Sequence, residues 1–263
     1  MKRIFNVILI FLLTSTISLL PGCHFQPNLS QELIAAIKTN DFDTFEELLA
    51  QNPNLDLKPY LFDLDRQNMP PLHYACLEGK IDFVYRLIEA GANVNNTNYS
   101  NKSTPLMVTL QYARKNKFEI ARFLVESGAD VTISAYKWTA LNYVFLTPLS
   151  DKEEAYDFAM LLIEKGAKID VGARGHVIFD AVKADNLLMV KYLIEERNVD
   201  VNLQDKSDGY TLLIQAVEYG NINIVEYLLD KGADIIKTDI EGKTAIDIAK
   251  EKGFEEILEL LNH

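Results

Sequence analysis

The sequence predicts an all-α fold, a solenoid of stacked helix pairs with β-hairpin or turn fingers between them. Three observations carry this. Two stretches repeat one phrase: PPLHYACLEGKIDFVYRLIEAGANVN from Pro70 to Asn95, and TLLIQAVEYGNINIVEYLLDKGADI from Thr211 to Ile235. The phrase recurs at a near-constant period. Its anchor, a Thr or Thr-like residue before an apolar helix, falls at Pro70, Thr104, Thr139, His176, Thr211 and Thr244, in steps of 34, 35, 37, 35 and 33 residues. Finally, 48% of the residues are hydrophobic, ample for a continuous core. A unit of this length cannot bury its own apolar face and must stack on copies of itself.

Taken in chain order, the first segment is not solenoid. Met1-Lys2-Arg3 precedes a largely apolar run from Ile4 to Leu20, followed by Pro21-Gly22-Cys23. A short basic start, an apolar centre and a small residue describe a secretory signal, and the run is short for a transmembrane helix. Leu20-Pro21-Gly22-Cys23 resembles the bacterial lipobox, which implies lipidation of Cys23. The alternatives are a plain signal peptide and an uncleaved anchor. Residues 1–22 are therefore read as signal peptide, 23–28 as lipidated Cys and tether, and 29–263 as the repeat domain. His24 after the Cys favours an outer-membrane, periplasm-facing anchor in a Gram-negative host.

Within the repeat domain, residues 29–56 read as an N-terminal cap, because the helical pair from Leu33 to Leu49 lacks the phrase. Repeats fill 65–261. Five residues after each anchor stands a small or β-branched residue (Ala75, Thr109, Val144, Ala181, Ala216, Ala249), which lets helices approach closely. Gly79, Gly220 and Gly253 close first helices, and second helices run apolar at i, i+3, i+4 to Gly-Ala-Asx or a relative. Two copies depart. One is three residues longer between Pro105 and Gly128, and one carries an insertion from Thr147 to Lys152. The last copy ends with acidic residues between its apolar ones, as a C-terminal cap should.

Thr104-Pro105-Leu106 and Pro71-Leu72-His73-Tyr74-Ala75 are the best matches to the phrase Thr-Pro-Leu-His-x-Ala, and on them the chain resembles the ankyrin repeat from about Leu29 to His263. That resemblance implies a protein-binding module that uses hairpin tips and the exposed face of the first helix. Carried over position by position, it marks the residue before each anchor (Ser103, Trp138 and Tyr210 among them), helix positions including Tyr112, Glu218 and Tyr219, and the hairpin residues Tyr99, Tyr136 and Arg174. Thr147, Asp151 and Lys152 join them, since insertions in repeats map to loops and often to binding. The single Trp and several Tyr thus fall on positions with no core duty, and such residues dominate interface energetics.

Charge narrows the partner. Removing residues 1–22 takes away Lys2 and Arg3 and no acid, leaving 24 basic against 38 acidic residues, a net −14. That argues against nucleic acid and against binding to anionic lipid, so only a lipid anchor would hold the chain at a membrane. It permits a basic protein partner steered by an acidic concave face, with the chain itself a monomer. Chemistry is sparse. His24, His73, His176 and His263 are scattered, with no pair at metal-ligand spacing. Cys76 lies in a packed helix position, and no catalytic motif or cofactor site is apparent. A non-enzymatic interaction module follows. Bacterial lipoproteins of this build resemble immunity proteins for secreted toxins, including type VI phospholipase effectors. The alternative is a periplasmic scaffold or protective partner of an enzyme, for example in oxidative-stress defence.

Overall fold

A computed structural model describes residues 29–51, 69–98, 102–146, 152–170 and 176–262. Helix pairs follow one another through this length: α1 (Leu29–Thr39) and α2 (Phe42–Gln51), α3 (Pro71–Glu78) and α4 (Ile81–Glu89), α5 (Pro105–Tyr112) and α6 (Lys117–Glu126). A two-stranded hairpin, β1 (Ser134–Ala135) and β2 (Trp138–Thr139), leads into α7 (Ala140–Val144) and α8 (Lys152–Glu164). Then come α9 (Val177–Lys183) and α10 (Leu187–Glu195), α11 (Leu212–Glu218) and α12 (Ile222–Asp230), and α13 (Ala245–Lys252) and α14 (Glu255–Leu261). The first helix of each pair packs on its own second helix and on the first helices before and after it. Two helical layers result, with the core between them.

The anchor residues are helix N-caps, which explains their period. The hydroxyls of Thr104, Thr211 and Thr244 accept from the backbone N–H three residues on, meeting one of the donors a helix start leaves unpaired. Thr139 and Thr244 complete reciprocal capping boxes with Asn142 and Asp247. His176 substitutes its ring, whose Nδ1 accepts from the Ile178 N–H at 3.2 Å. Pro70 offers no side-chain acceptor, and Pro71 fills the first helical position, where the missing N–H costs little. The small residues five positions on are all buried.

The three-residue extension of the second repeat lies at Ala113–Lys115, between α5 and α6. Closure of the first helices needs a left-handed residue, and Gly79 supplies it at φ 65°. A Cβ there would also meet the Lys115 carbonyl oxygen at 2.6 Å, so the next repeat requires a glycine at this site. In three pairs the role passes to Asn40, Asn116 and Asp185, at φ 53–57°, side chains that tolerate this region.

Copies are clipped together by polar side chains. Asn95 donates to the Gly128 carbonyl at 3.1 Å and accepts from the Asp130 N–H at 2.7 Å, and Asn202 treats Gly232 and Asp234 the same way at 3.4 and 2.7 Å. Arg86 of α4 grips Glu46 of α2 with two nitrogens, at 2.5 and 2.9 Å. Between the third and fourth copies the first helices touch least, α7 being one short turn. There Asn142 donates to the buried Asp180 carboxylate at 2.8 Å, and Asn186 to the Lys152 carbonyl at 2.8 Å.

Candidate protein-binding face

Among the described residues, His73, His176 and Cys76 are placed as scaffold. His73 is fully buried, and its Nε2 donates to the Ser103 carbonyl at 3.0 Å, tying α3 to the following finger. Burial pushes its imidazole down to about 4, opposed by hydrogen bonds to the Ser103 and Asn96 backbone. Burial pushes the Cys76 thiol up to about 12, partly offset by a hydrogen bond with Thr109, so it carries almost no thiolate at neutral pH. Burial lowers the His176 pKa, against the pull of Asp170. Among the described residues no group of three or more His, Cys, Asp or Glu could hold a metal, and no helix is long and apolar enough to cross a membrane.

Of the described residues expected to contact a partner, Tyr136 is the most open, 72% exposed at the turn of the β1–β2 hairpin. It and Lys137 both have positive φ, 49° and 70°. A two-residue hairpin turn demands this, and non-glycine residues adopt it at a cost of about 1–2 kcal/mol each. Trp138, on β2, is half-buried and lies 5.8 Å from the Tyr143 ring of α7, so part of its surface supports the finger. Tyr143 is buried, hydrogen-bonds with Ser103 and lies close enough to Tyr112 for the two hydroxyls to interact. Tyr112 itself is 41% exposed at the end of α5. Trp138, Tyr143 and Tyr112 therefore form one stripe, running from the finger along the first-helix layer.

A second group lies three repeats on. Tyr219 is 42% exposed, with Lys183 over its ring at 5.4 Å. Glu218 is half-buried and pairs with Lys252 at 2.6 Å. Tyr210, half-buried on the preceding finger, has its hydroxyl pKa raised, first by burial and then by Glu218, Asp239, Asp208 and Glu241.

Three expectations change. Ser103 is buried, not presented to a partner: its carbonyl is held by His73 and its N–H donates to Asn98 at 3.3 Å. Lys152, though exposed, opens α8 and forms an ion pair with Asp185, so it joins two repeats. The acidic excess does not sit on the first-helix layer. Acids outnumber bases seventeen to five on the seven second helices, but only six to four on the seven first helices. Cys23, Tyr99, Thr147, Asp151 and Arg174 lie outside the described residues.

Two residues of this face were missed. Ile236 and Ile240, on the last finger, are 75% and 74% exposed. Ile236 stands where Asn95 and Asn202 clip neighbouring copies, and an isoleucine at that turn position was the available signal.

Comparison with known proteins agrees with this architecture. The family model for ankyrin repeats matches residues 14–98 and 178–263, more than half of the chain. The chain is also 30% identical to the putative ankyrin repeat protein YahD of Escherichia coli, over 71% of its own length and 92% of YahD. The chain belongs to the ankyrin-repeat family. This ankyrin-repeat protein is further similar to the phosphocholine transferase AnkX of Legionella pneumophila, at 23% identity over 86% of the chain, yet spans only 28% of AnkX. The human ASB11 ankyrin repeat domain shares the fold, with a TM-score of 0.66 at 22% identity, covering 87% of this chain and 96% of that one. As an ankyrin-repeat chain it is a scaffold for protein–protein interaction, and that is the chemistry its exposed aromatic residues suit.

Proposed function

We propose that this ankyrin-repeat protein is a non-enzymatic lipoprotein of the cell envelope that binds and neutralises a secreted toxin, such as a phospholipase effector of type VI secretion, by covering it with its finger and first-helix face. The observation that carries the binding part is the aromatic set Tyr112, Tyr136 and Tyr219, exposed along the repeats where core packing asks nothing of them. Such side chains supply large contact area at little conformational cost. The envelope part rests on Met1-Lys2-Arg3, the apolar run and Leu20-Pro21-Gly22-Cys23, with a periplasm-facing outer-membrane anchor as the favoured location.

Mixing residues 24–263 with the product of the neighbouring gene tests the immunity role. A complex at micromolar concentration that silences a toxic activity supports it. The absence of a complex refutes it, and a complex with a protective enzyme such as a catalase supports the scaffold role instead. Labelling with a radioactive fatty acid tests the anchor: wild type should incorporate label and Cys23→Ala should not.

A further inference from the structure

The residues left open for contact fall into two halves of opposite charge. Around the stripe of the second and third repeats stand cations: Lys137 at the finger turn, and Arg114 and Lys115 two and three residues after Tyr112. All three are exposed and none forms an ion pair among the described residues. In the fifth and sixth repeats the reverse holds. Lys252 is taken by Glu218, Lys243 is shared by Glu251 at 3.0 Å and Glu241 at 3.5 Å, and Lys183 lies over the Tyr219 ring at 5.4 Å, so these cations are already engaged. One aromatic cluster is thus rimmed by cations that form no ion pair among the described residues, and the other by carboxylates that outnumber the lysines they hold, on a chain whose acidic excess lies on the second helices.

We propose that the partner docks in one fixed polarity. A segment with an apolar or aromatic centre flanked by carboxylates seats on the second and third repeats, and a Lys- or Arg-bearing segment seats on the fifth and sixth. Charge complementarity of this kind fixes register and rejects the reversed arrangement. This rests on the protein-binding role proposed above and adds the partner's chemistry. It replaces the uniformly basic partner suggested by net charge alone.

Trp138, the single tryptophan, reports on the first half. The full chain would be titrated with two short synthetic peptides that share a Phe-Leu centre, one flanked by Glu and one by Lys, following Trp138 fluorescence and binding heat. The Glu-flanked peptide should shift Trp138 emission saturably, and Lys137→Glu or Arg114→Glu with Lys115→Glu should weaken it roughly fivefold or more. The Lys-flanked peptide should bind without moving Trp138 emission and weaken in Glu241→Lys. The polarity is overturned if the Lys-flanked peptide is the one that moves Trp138, if neither peptide saturates, or if the charge reversals leave both affinities unchanged. Tyr136→Ala assayed against the partner captured from the host separates the two failures. If that variant loses the partner while charge reversals do not matter, the face binds protein and only the polarity is wrong.

Discussion

His73 makes the array acid-sensitive, by an amount the structure sets. The unfolded imidazole takes up its proton near the ordinary value of 6.5, the native one only near about 4, because protonation would place a charge in a fully buried site. Between those values the unfolded chain holds the extra proton, so stability rises with pH across that window. The contribution is complete above pH 6.5 and is lost as pH falls to 4. Two and a half units at about 1.4 kcal/mol each is about 3 kcal/mol, a large share of a domain's stability. Carboxylates also titrate in this range, so the control matters. The corresponding position of the next repeat holds Met107, buried in the same layer, which makes His73→Met a shape already accepted there. Urea unfolding of wild type and His73→Met, followed by circular dichroism at pH 7, 5.5 and 4.5, isolates the difference. Wild type should lose most of this 3 kcal/mol relative to the variant between pH 7 and 4.5. A difference independent of pH would refute the assignment of His73 as a neutral, buried clip on the Ser103 finger.

Other consequences are read the same way. Gly253→Ala meets open space and only the cost of a left-handed alanine, about 1 kcal/mol, whereas Gly79→Ala also drives a Cβ against the Lys115 carbonyl and should lower the melting temperature several-fold more. Ala216→Leu, at a fully buried helix contact, should cost about 1–3 kcal/mol by overpacking and leave partner affinity per folded molecule unchanged in a pull-down normalised to folded protein. Tyr136→Ala should leave thermal unfolding within about 0.5 kcal/mol of wild type while weakening partner binding about tenfold, as calorimetry would record. Trp138→Ala should weaken binding too, but with a stability loss, because its ring packs toward Tyr143.

What was legible from sequence was what local chemistry dictates. The anchors at Thr104, Thr139, Thr211 and Thr244 announce helix starts, because a capping hydroxyl bonds only a few residues away. Closure by Asn40, Asn116 and Asp185 was less visible, since asparagine and aspartate have many uses and only their φ shows this one. Ser103 was misplaced because a positional rule cannot show that a histidine thirty residues earlier reaches over to hold its carbonyl. The clip from Asn142 to Asp180, thirty-eight residues apart, likewise requires knowing which faces of adjacent copies meet. Charge was misjudged in distribution, not in total: the acids had only to be assigned to first or second helices before asking which layer a partner would see.

Site-specific photo-crosslinking in the native host decides whether a protein partner lies on the finger and first-helix face. A photoreactive phenylalanine analogue would replace Tyr136, Tyr219 or Glu226, the last exposed on α12 in the other layer. Positions 136 and 219 should capture the same protein and position 226 should not. Capture at 226 with none at 136 and 219 would place the partner on the second-helix layer instead.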